Sequence, residues 1–235
     1  AGPKIPHIEP KVTPRRAVHA LAFEAKSKLL AIGRVGEVEL RSTEHRGLVR
    51  KLSGHHGNVN DQAFSADGTI LATAGGEAGQ RGQVRIWNVA DGKLIRTMEG
   101  HSDAIYAVAI SPDRKLLATG SYDQTIILWQ IETGQPQLTI KGHSGAVFAL
   151  AFRQDGKVLA SASADRTIKL WETPGGNRLD TLTESLKQLH SLAFSPDGKF
   201  LTGGGVDRRI RLWQIGPEAK EGTNTLLVSR MAHEG

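Results

Sequence analysis

The even spacing of four tryptophans constrains the fold of this chain more than any other feature. They are the only tryptophans present, and each lies 42 positions after the one before: Trp87, Trp129, Trp171 and Trp213. The dipeptide Gly-His recurs in step with them, at residues 54–55, 100–101 and 142–143. A Ser-Pro-Asp phrase or a variant of it starts at residues 65, 111, 153 and 195. A fixed period of about 40–45 residues indicates one structural unit copied along the chain.

The copy at residues 100–142 shows what the unit is. It contains four short apolar runs separated by turns rich in Pro, Gly, Asp and Ser: Ala104–Ile110, Leu116–Thr119, Thr125–Ile131 and Gln137–Ile140. Each run is too short for a helix and lacks a helical period. Runs of this length between such turns predict four antiparallel strands.

These recurring motifs resemble those of the WD-repeat β-propeller family, over residues 14–235. The Trp-Asp dipeptide of the family is altered here, because the residues after the tryptophans are Asn88, Gln130, Glu172 and Gln214. The resemblance implies an all-β propeller of four-stranded antiparallel blades, about five in number. We place an extended proline-rich arm at residues 1–13. The repeats follow at 14–53, 54–99, 100–141, 142–184 and 185–231, with the start of another at 232–235.

Five blades are fewer than the seven that are usual in the family, and an arc of five leaves an apolar blade face open to water. We expect this sequence to be a piece of a longer protein. The alternatives are a tight five-bladed ring and an open ring that associates with a second copy.

Composition narrows the possible functions. The chain has no cysteine, which excludes disulfides, thiol catalysis and cysteine-ligated metals. The sequence has no run of eighteen apolar residues, which is the length that would predict a membrane span. The net charge of +6 comes entirely from residues 1–53, which hold eleven Lys and Arg against five Asp and Glu. This basic segment is either a solvated edge, which we favour, or a surface for nucleic acid.

The resemblance also implies a structural tetrad in each blade, in which a histidine, a hydroxyl, an aspartate and the tryptophan are joined by hydrogen bonds. In repeat three the members are His101, Asp123 and Trp129, with Thr119 or Ser121 as the hydroxyl. Repeat four has His143, Asp165 and Trp171, with Ser161 or Ser163. We take Ser121 and Ser163. A set that recurs in every blade indicates a scaffold, not a hydrolase triad.

Family partners usually dock around the central channel, and we assign candidate partner-binding residues to that face. Those on the first strand of each repeat are His19, Asn60, Tyr106, Phe148 and His190. Tyr122 precedes the turn aspartate of repeat three, and Arg34 is its nearest equivalent in repeat one. Tyr106 and Phe148 fit packing between blades equally well, whereas Tyr122 is expected to be exposed.

The sequence therefore predicts a non-catalytic interaction scaffold that binds a protein or peptide on the propeller face, without cofactor or metal. One alternative is a regulatory or targeting part of a larger multidomain enzyme or electron-transfer protein. The other is a nucleic-acid binder that uses the basic segment.

Overall fold

Residues 17–232 are the part of the chain that this computed structural model describes, and within them the backbone forms nineteen β-strands and no helix. The strands form one seven-stranded sheet and three four-stranded sheets, in which neighbouring strands are antiparallel. The predicted arm at residues 1–13 lies outside the described residues, as do residues 233–235 of the predicted further repeat.

The seven-stranded sheet contains two copies of the unit joined through one long strand. Its strands are β1 (Ala20–Glu24), β2 (Leu29–Gly33), β3 (Val35–Ser42), β4 (Leu48–Phe64), β5 (Ile70–Gly75), β6 (Gln83–Asn88) and β7 (Leu94–Glu99). The first part of β4 pairs with β3, and its last part pairs with β5. Blade 1 is therefore β1 to the first part of β4, and blade 2 runs from the last part of β4 to β7.

Blades 3, 4 and 5 are separate four-stranded sheets. Blade 3 consists of β8 (Ile105–Ile110), β9 (Leu116–Ser121), β10 (Ile126–Gln130) and β11 (Pro136–Ile140). Blade 4 consists of β12 (Val147–Phe152), β13 (Val158–Ser163), β14 (Ile168–Glu172) and β15 (Arg178–Leu182). Blade 5 consists of β16 (Leu189–Phe194), β17 (Phe200–Gly205), β18 (Arg209–Gln214) and β19 (Thr225–Met231). The prediction of an all-β fold with about five four-stranded antiparallel blades is confirmed.

Neighbouring blades pack face to face, and a cluster of buried apolar side chains fills each interface. Every tryptophan belongs to the cluster that its blade shares with the blade before it. Trp129 of blade 3, for example, packs in one cluster with Ile86 and Met98 of blade 2. The repeated tryptophan is therefore the largest side chain in each of these clusters.

The ring is not closed within residues 17–232, and the outer faces of blades 1 and 5 are open. Leu21 on β1 is 61% exposed, whereas Val108, at the same position in blade 3, is 4% exposed. Ile210 on β18 is 52% exposed, whereas its equivalent Ile126 is 1% exposed. The packing that a neighbouring blade gives elsewhere is missing at both ends. Self-association through these faces stays a prediction.

A side chain of an outer strand also joins two neighbouring blades. The Arg96 guanidinium of β7 donates to the carbonyl oxygens of Glu132 and Thr133 in blade 3, at 2.7 and 2.9 Å. Gly134 ends this turn with a φ of 73°. A Cβ at Gly134 would collide with Cδ of Arg96. This glycine is thus required by its backbone conformation and by the close approach of Arg96.

We predict that Gly134→Ala lowers the free energy of unfolding by about 2 kcal/mol, because strain at positive φ adds to the loss of the Arg96 hydrogen bonds. Gly79→Ala is the matched control, since Gly79 has a φ of 80° and no atom within 4 Å of an added Cβ. The control should lose only about 1 kcal/mol. Urea unfolding of both variants checks this, and equal losses would show that the Arg96 contact contributes nothing.

Candidate functional site

Blade 3 contains a buried chain of hydrogen bonds that begins at its tryptophan. The indole Nε1–H of Trp129 donates to Thr119 Oγ1 at 2.8 Å, and Thr119 Oγ1 lies 2.7 Å from His101 Nε2. The other ring nitrogen, Nδ1, lies 2.9 Å from Asp123 Oδ2. An ionised carboxylate only accepts hydrogen bonds, so Nδ1 carries the hydrogen and donates it to Asp123.

Blade 4 repeats this chain with a serine in place of the threonine. Trp171 Nε1–H donates to Ser161 Oγ at 2.8 Å, and Ser161 Oγ lies 2.7 Å from His143 Nε2. His143 Nδ1 lies 2.7 Å from Asp165 Oδ2. The two blades therefore tie their tryptophan, strand hydroxyl, loop histidine and turn aspartate together in the same way.

The choice of Ser121 and Ser163 as the tetrad hydroxyls is wrong. Thr119 pairs with Ile127, within reach of the Trp129 indole, whereas Ser121 lies beyond the last pair of β9 with β10. There Ser121 Oγ donates to the carbonyl of Ala104 at 2.9 Å and accepts the N–H of Asp123 at 3.1 Å. Ser163 likewise donates to the Gly145 carbonyl. These two serines fasten the turn to the preceding loop.

The turn aspartate holds a whole loop in place. Besides His101, Asp123 accepts hydrogen bonds from the backbone N–H of Ser102 and from the N–H and hydroxyl of Thr125. Burial alone would raise the pKa of Asp123, but the hydrogen bonds from His101 and Thr125 outweigh it and hold the pKa well below its usual range. Tyr122 directly precedes this aspartate, so the tetrad fixes the turn that presents Tyr122.

We predict that Asp165→Ala lowers the free energy of unfolding by about 2–4 kcal/mol, because it leaves the buried His143 ring nitrogen without its acceptor. Asp91→Ala is the control, since Asp91 lies in an exposed turn of blade 2 and should change stability by less than about 0.5 kcal/mol. Chemical denaturation measures both. A stability of the Asp165 variant close to that of the unaltered chain would contradict a structural role for the tetrad.

Blade 2 has the first half of this chain but no aspartate. Trp87 Nε1–H donates to Thr73 Oγ1 at 2.8 Å, and Thr73 Oγ1 lies 2.6 Å from His55 Nε2. His55 Nδ1 is buried and has no hydrogen-bond partner among the described residues. Burial, with a smaller contribution from Arg85, lowers the pKa of His55 from 6.5 to about 4.

Blade 5 meets the same requirement with ionic groups, which the sequence analysis missed. Gly203 stands where Thr119 stands in blade 3, so no hydroxyl is available. The Trp213 indole donates instead to Glu184 Oε2 at 3.3 Å. The buried Arg211 guanidinium pairs with Asp207 and donates to the Glu184 carbonyl at 3.2 Å. The alternating arginines of β18, Arg209 and Arg211, were one signal in the sequence for this substitution.

Four of the predicted partner-binding residues form one continuous row of rings across blades 3, 4 and 5, which we call the aromatic ladder: Tyr122, Tyr106, Phe148 and His190. The ring centroids of Tyr122 and Tyr106 lie 6.2 Å apart. Tyr106 meets Phe148 edge to face at 5.5 Å, and Phe148 stacks on His190 at 4.5 Å with a 22° angle between the rings. Tyr122 is 50% exposed, Tyr106 and Phe148 are half-buried, and His190 is exposed.

A β-bulge positions each first-strand member of the ladder. Ile105 pairs with Ser121 and Ala107 with Gly120, so Tyr106 is an extra residue without a partner on β9. The same irregularity surrounds Phe148 and His190. A bulge turns its extra residue out of the regular alternation of the strand. The repeated bulge is why these rings line one cavity at the inner strands.

That cavity has a volume of about 360 Å³ and is bounded by the inner strands of blades 2 to 5. It is lined by Tyr106, Phe148 and His190 of the ladder and by Asn60 and Asp61 of blade 2. Asp61 was not predicted. Its Oδ2 accepts the N–H of Val108 and its Oδ1 accepts the N–H of Gln62, both at 2.8 Å. Burial raises the pKa of Asp61 from 3.8 to about 6, against these two hydrogen bonds.

The three remaining candidates do not join the ladder. Asn60 lines the cavity, but its Nδ2 donates to the carbonyls of Gly76 and Ile105 at 3.2 and 3.0 Å, which links blades 2 and 3. His19 is exposed and precedes β1 of blade 1. Arg34 lies on the same blade, where its Nε is 3.6 Å from Glu39 Oε1. Among the described residues, no group of three or more His, Asp or Glu side chains is arranged to hold a metal ion.

His55 and Asp61 give opposite dependences of stability on pH. His55 binds its proton more weakly in the folded chain, so its contribution to stability falls as the pH drops from 6.5 to 4. Asp61 binds its proton more tightly in the folded chain, so its contribution rises as the pH drops from 6 to 4.

We therefore predict that His55→Gln gains stability relative to the unaltered chain, by up to about 3 kcal/mol, when the pH is lowered from 7 to 4. Asp61→Asn should lose a similar amount relative to the unaltered chain over the same range. Urea unfolding of the three proteins at pH 4, 5, 6 and 7 measures the differences. Parallel curves would show that neither group is perturbed in the folded chain.

A family model described as WD domain, G-beta repeat matches four segments of the chain: residues 46–88, 92–130, 134–172 and 176–214. Each segment ends one residue after one of the four tryptophans. Each begins just before the fourth strand of one blade and ends in the third strand of the next. The segments together cover more than half of the chain. No relative is found among curated proteins.

Proposed function

The chain belongs to the WD-repeat family, and on that premise we propose that it is a non-catalytic scaffold whose aromatic ladder binds a protein or peptide partner. WD repeats generally serve as platforms for protein–protein interaction. The observation that carries the proposal is the row of four rings across three blades, with Tyr122 half exposed at its end. Tyrosine is an amphipathic side chain that is favoured at the energetic centres of interfaces.

The position of the hydroxyls in the tetrads supports a non-catalytic role. Thr119 and Ser161 are 0% exposed, and each already accepts the indole hydrogen of its tryptophan. A nucleophile must reach the substrate beside donors that stabilise the developing charge. The histidine and aspartate of blades 3 and 4 therefore act as structural groups, although their order resembles that of a hydrolase triad.

The ladder is also held rigidly, which favours binding. Tyr122 lies in a turn that Asp123 and Ser121 fasten to the neighbouring loop, and Tyr106 and Phe148 lie on paired strands. A partner that docks on fixed side chains loses less conformational entropy than one that must order them.

No helix that could cross a membrane is found in residues 17–232.

We predict that peptides selected from a random library on the immobilised chain lose at least about tenfold in affinity for Tyr106→Ala and Tyr122→Ala, or roughly 1.4 kcal/mol. The control is Ile95→Ala, which removes a side chain that is 48% exposed on the outer strand β7. Calorimetric titration and thermal melting measure affinity and folding.

The control should bind as the unaltered chain does, and the tyrosine variants should melt close to it. Peptides that bind all four proteins equally would contradict docking on the ladder. A large fall in melting temperature for either tyrosine variant would show that the ring is part of the core instead.

A further inference from the structure

The cavity beside the ladder combines aromatic rings with one carboxylate. Asp61 is the only acidic residue that lines it within the described chain, and no lysine or arginine lines it. The hydrogen-bond donors to Asp61 are two backbone N–H groups, and no basic residue of the described chain forms an ion pair with it. A partly buried carboxylate of this kind is stabilised most by a positive charge brought to it.

The rings offer a second attraction for the same kind of group. Tyr106 and Phe148 stand edge to face in the cavity wall. A cation within about 6 Å of an aromatic ring face is attracted by the negative charge density of the ring. Aromatic rings and an ionised carboxylate in one cavity therefore favour positive charge in two independent ways.

The size of the cavity limits the ligand. A volume of about 360 Å³ lies near the lower end of the roughly 300–1,000 Å³ that ligand pockets span. It is large enough to hold one long side chain of a partner. A nucleotide would also stack on the rings, but its phosphate would be repelled by Asp61.

We infer that the cavity takes a lysine or arginine side chain of the partner, with the ammonium or guanidinium group between the Asp61 carboxylate and the rings of Tyr106 and Phe148. This inference rests on the proposed function, because it names the chemistry that the partner presents to the ladder. It also gives Asp61, which the tetrads do not use, a role in recognition.

The chain offers a direct reporter, since Tyr106 and Tyr122 are its only tyrosines. Incorporation of 3-fluorotyrosine gives one ¹⁹F signal for each, and the Tyr106 signal reports on the cavity. The probes are N-acetylarginine amide and N-acetyllysine amide. The matched neutral probes are N-acetylcitrulline amide, which has nearly the shape of arginine, and N-acetylnorleucine amide. Uridine and adenosine monophosphates test the alternative of nucleobase stacking.

We expect the two cationic amides to shift the Tyr106 signal with dissociation constants in about the millimolar range, at least fivefold tighter than the neutral amides. Asp61→Asn should weaken the binding of the cationic amides at least fivefold and leave the neutral amides unchanged. Phe148→Leu keeps the apolar volume but removes the ring face, and it should weaken the cationic amides at least threefold. Two sharp ¹⁹F signals show that a variant is folded, and if one variant loses them the other is enough to test the inference.

The inference would be overturned if citrulline amide bound as tightly as arginine amide. It would also be overturned if both variants bound arginine amide as tightly as the unaltered chain does. Tighter binding of the nucleotides would replace it with a nucleobase site. The inference can fail while the proposed function holds. Peptides that need the ladder but contain no lysine or arginine would leave the scaffold role intact and contradict a cation site.

Discussion

A tryptophan buried between two apolar sheets brings one polar hydrogen with it, and this hydrogen must find an acceptor. Most of the regular features of the structure follow from that need. In blades 3 and 4 the acceptor is a strand hydroxyl, which in turn contacts a histidine whose second nitrogen contacts an aspartate. The chain of hydrogen bonds runs from the interior of the blade to its surface, where the aspartate can accept further hydrogen bonds from the loop.

Blades 2 and 5 show that the tryptophan N–H always needs an acceptor but that the groups which satisfy it differ between blades. Blade 2 stops at His55, and its unpartnered Nδ1 is consistent with a histidine that resists protonation. Blade 5 has Gly203 in place of a hydroxyl, and a carboxylate from Glu184 accepts the indole hydrogen. A buried arginine is costly unless it is paired, and Arg211 is paired with Asp207 at the turn. Both blades keep the tryptophan between the sheets despite these changes.

The features that follow from the 42-residue repeat can be predicted from the sequence, whereas those that depend on how the strands pair cannot. The spacing of Trp87, Trp129, Trp171 and Trp213 is enough to predict four-stranded blades, since strand length, turns and core position all repeat with it. Thr119 and Ser121 lie on the same face of one strand, so alternation alone cannot choose between them. Only the pairing of β9 with β10 shows which hydroxyl the indole reaches. Asp61 was missed for a similar reason, because its partner Val108 comes from another blade.

Comparison of the copies within the chain separates the structural positions from the positions that we propose for binding. The tryptophan recurs in four copies, because packing against the preceding blade demands it. The first-strand bulge position holds a different residue in each of four successive blades: Asn60, Tyr106, Phe148 and His190. A bulged residue has no partner on the neighbouring strand, so the sheet places little constraint on its identity. Apart from Asn60, whose amide links blades 2 and 3, the residues that the fold leaves free are those that line one cavity. Their chemistry is therefore the part of the molecule that a partner can select.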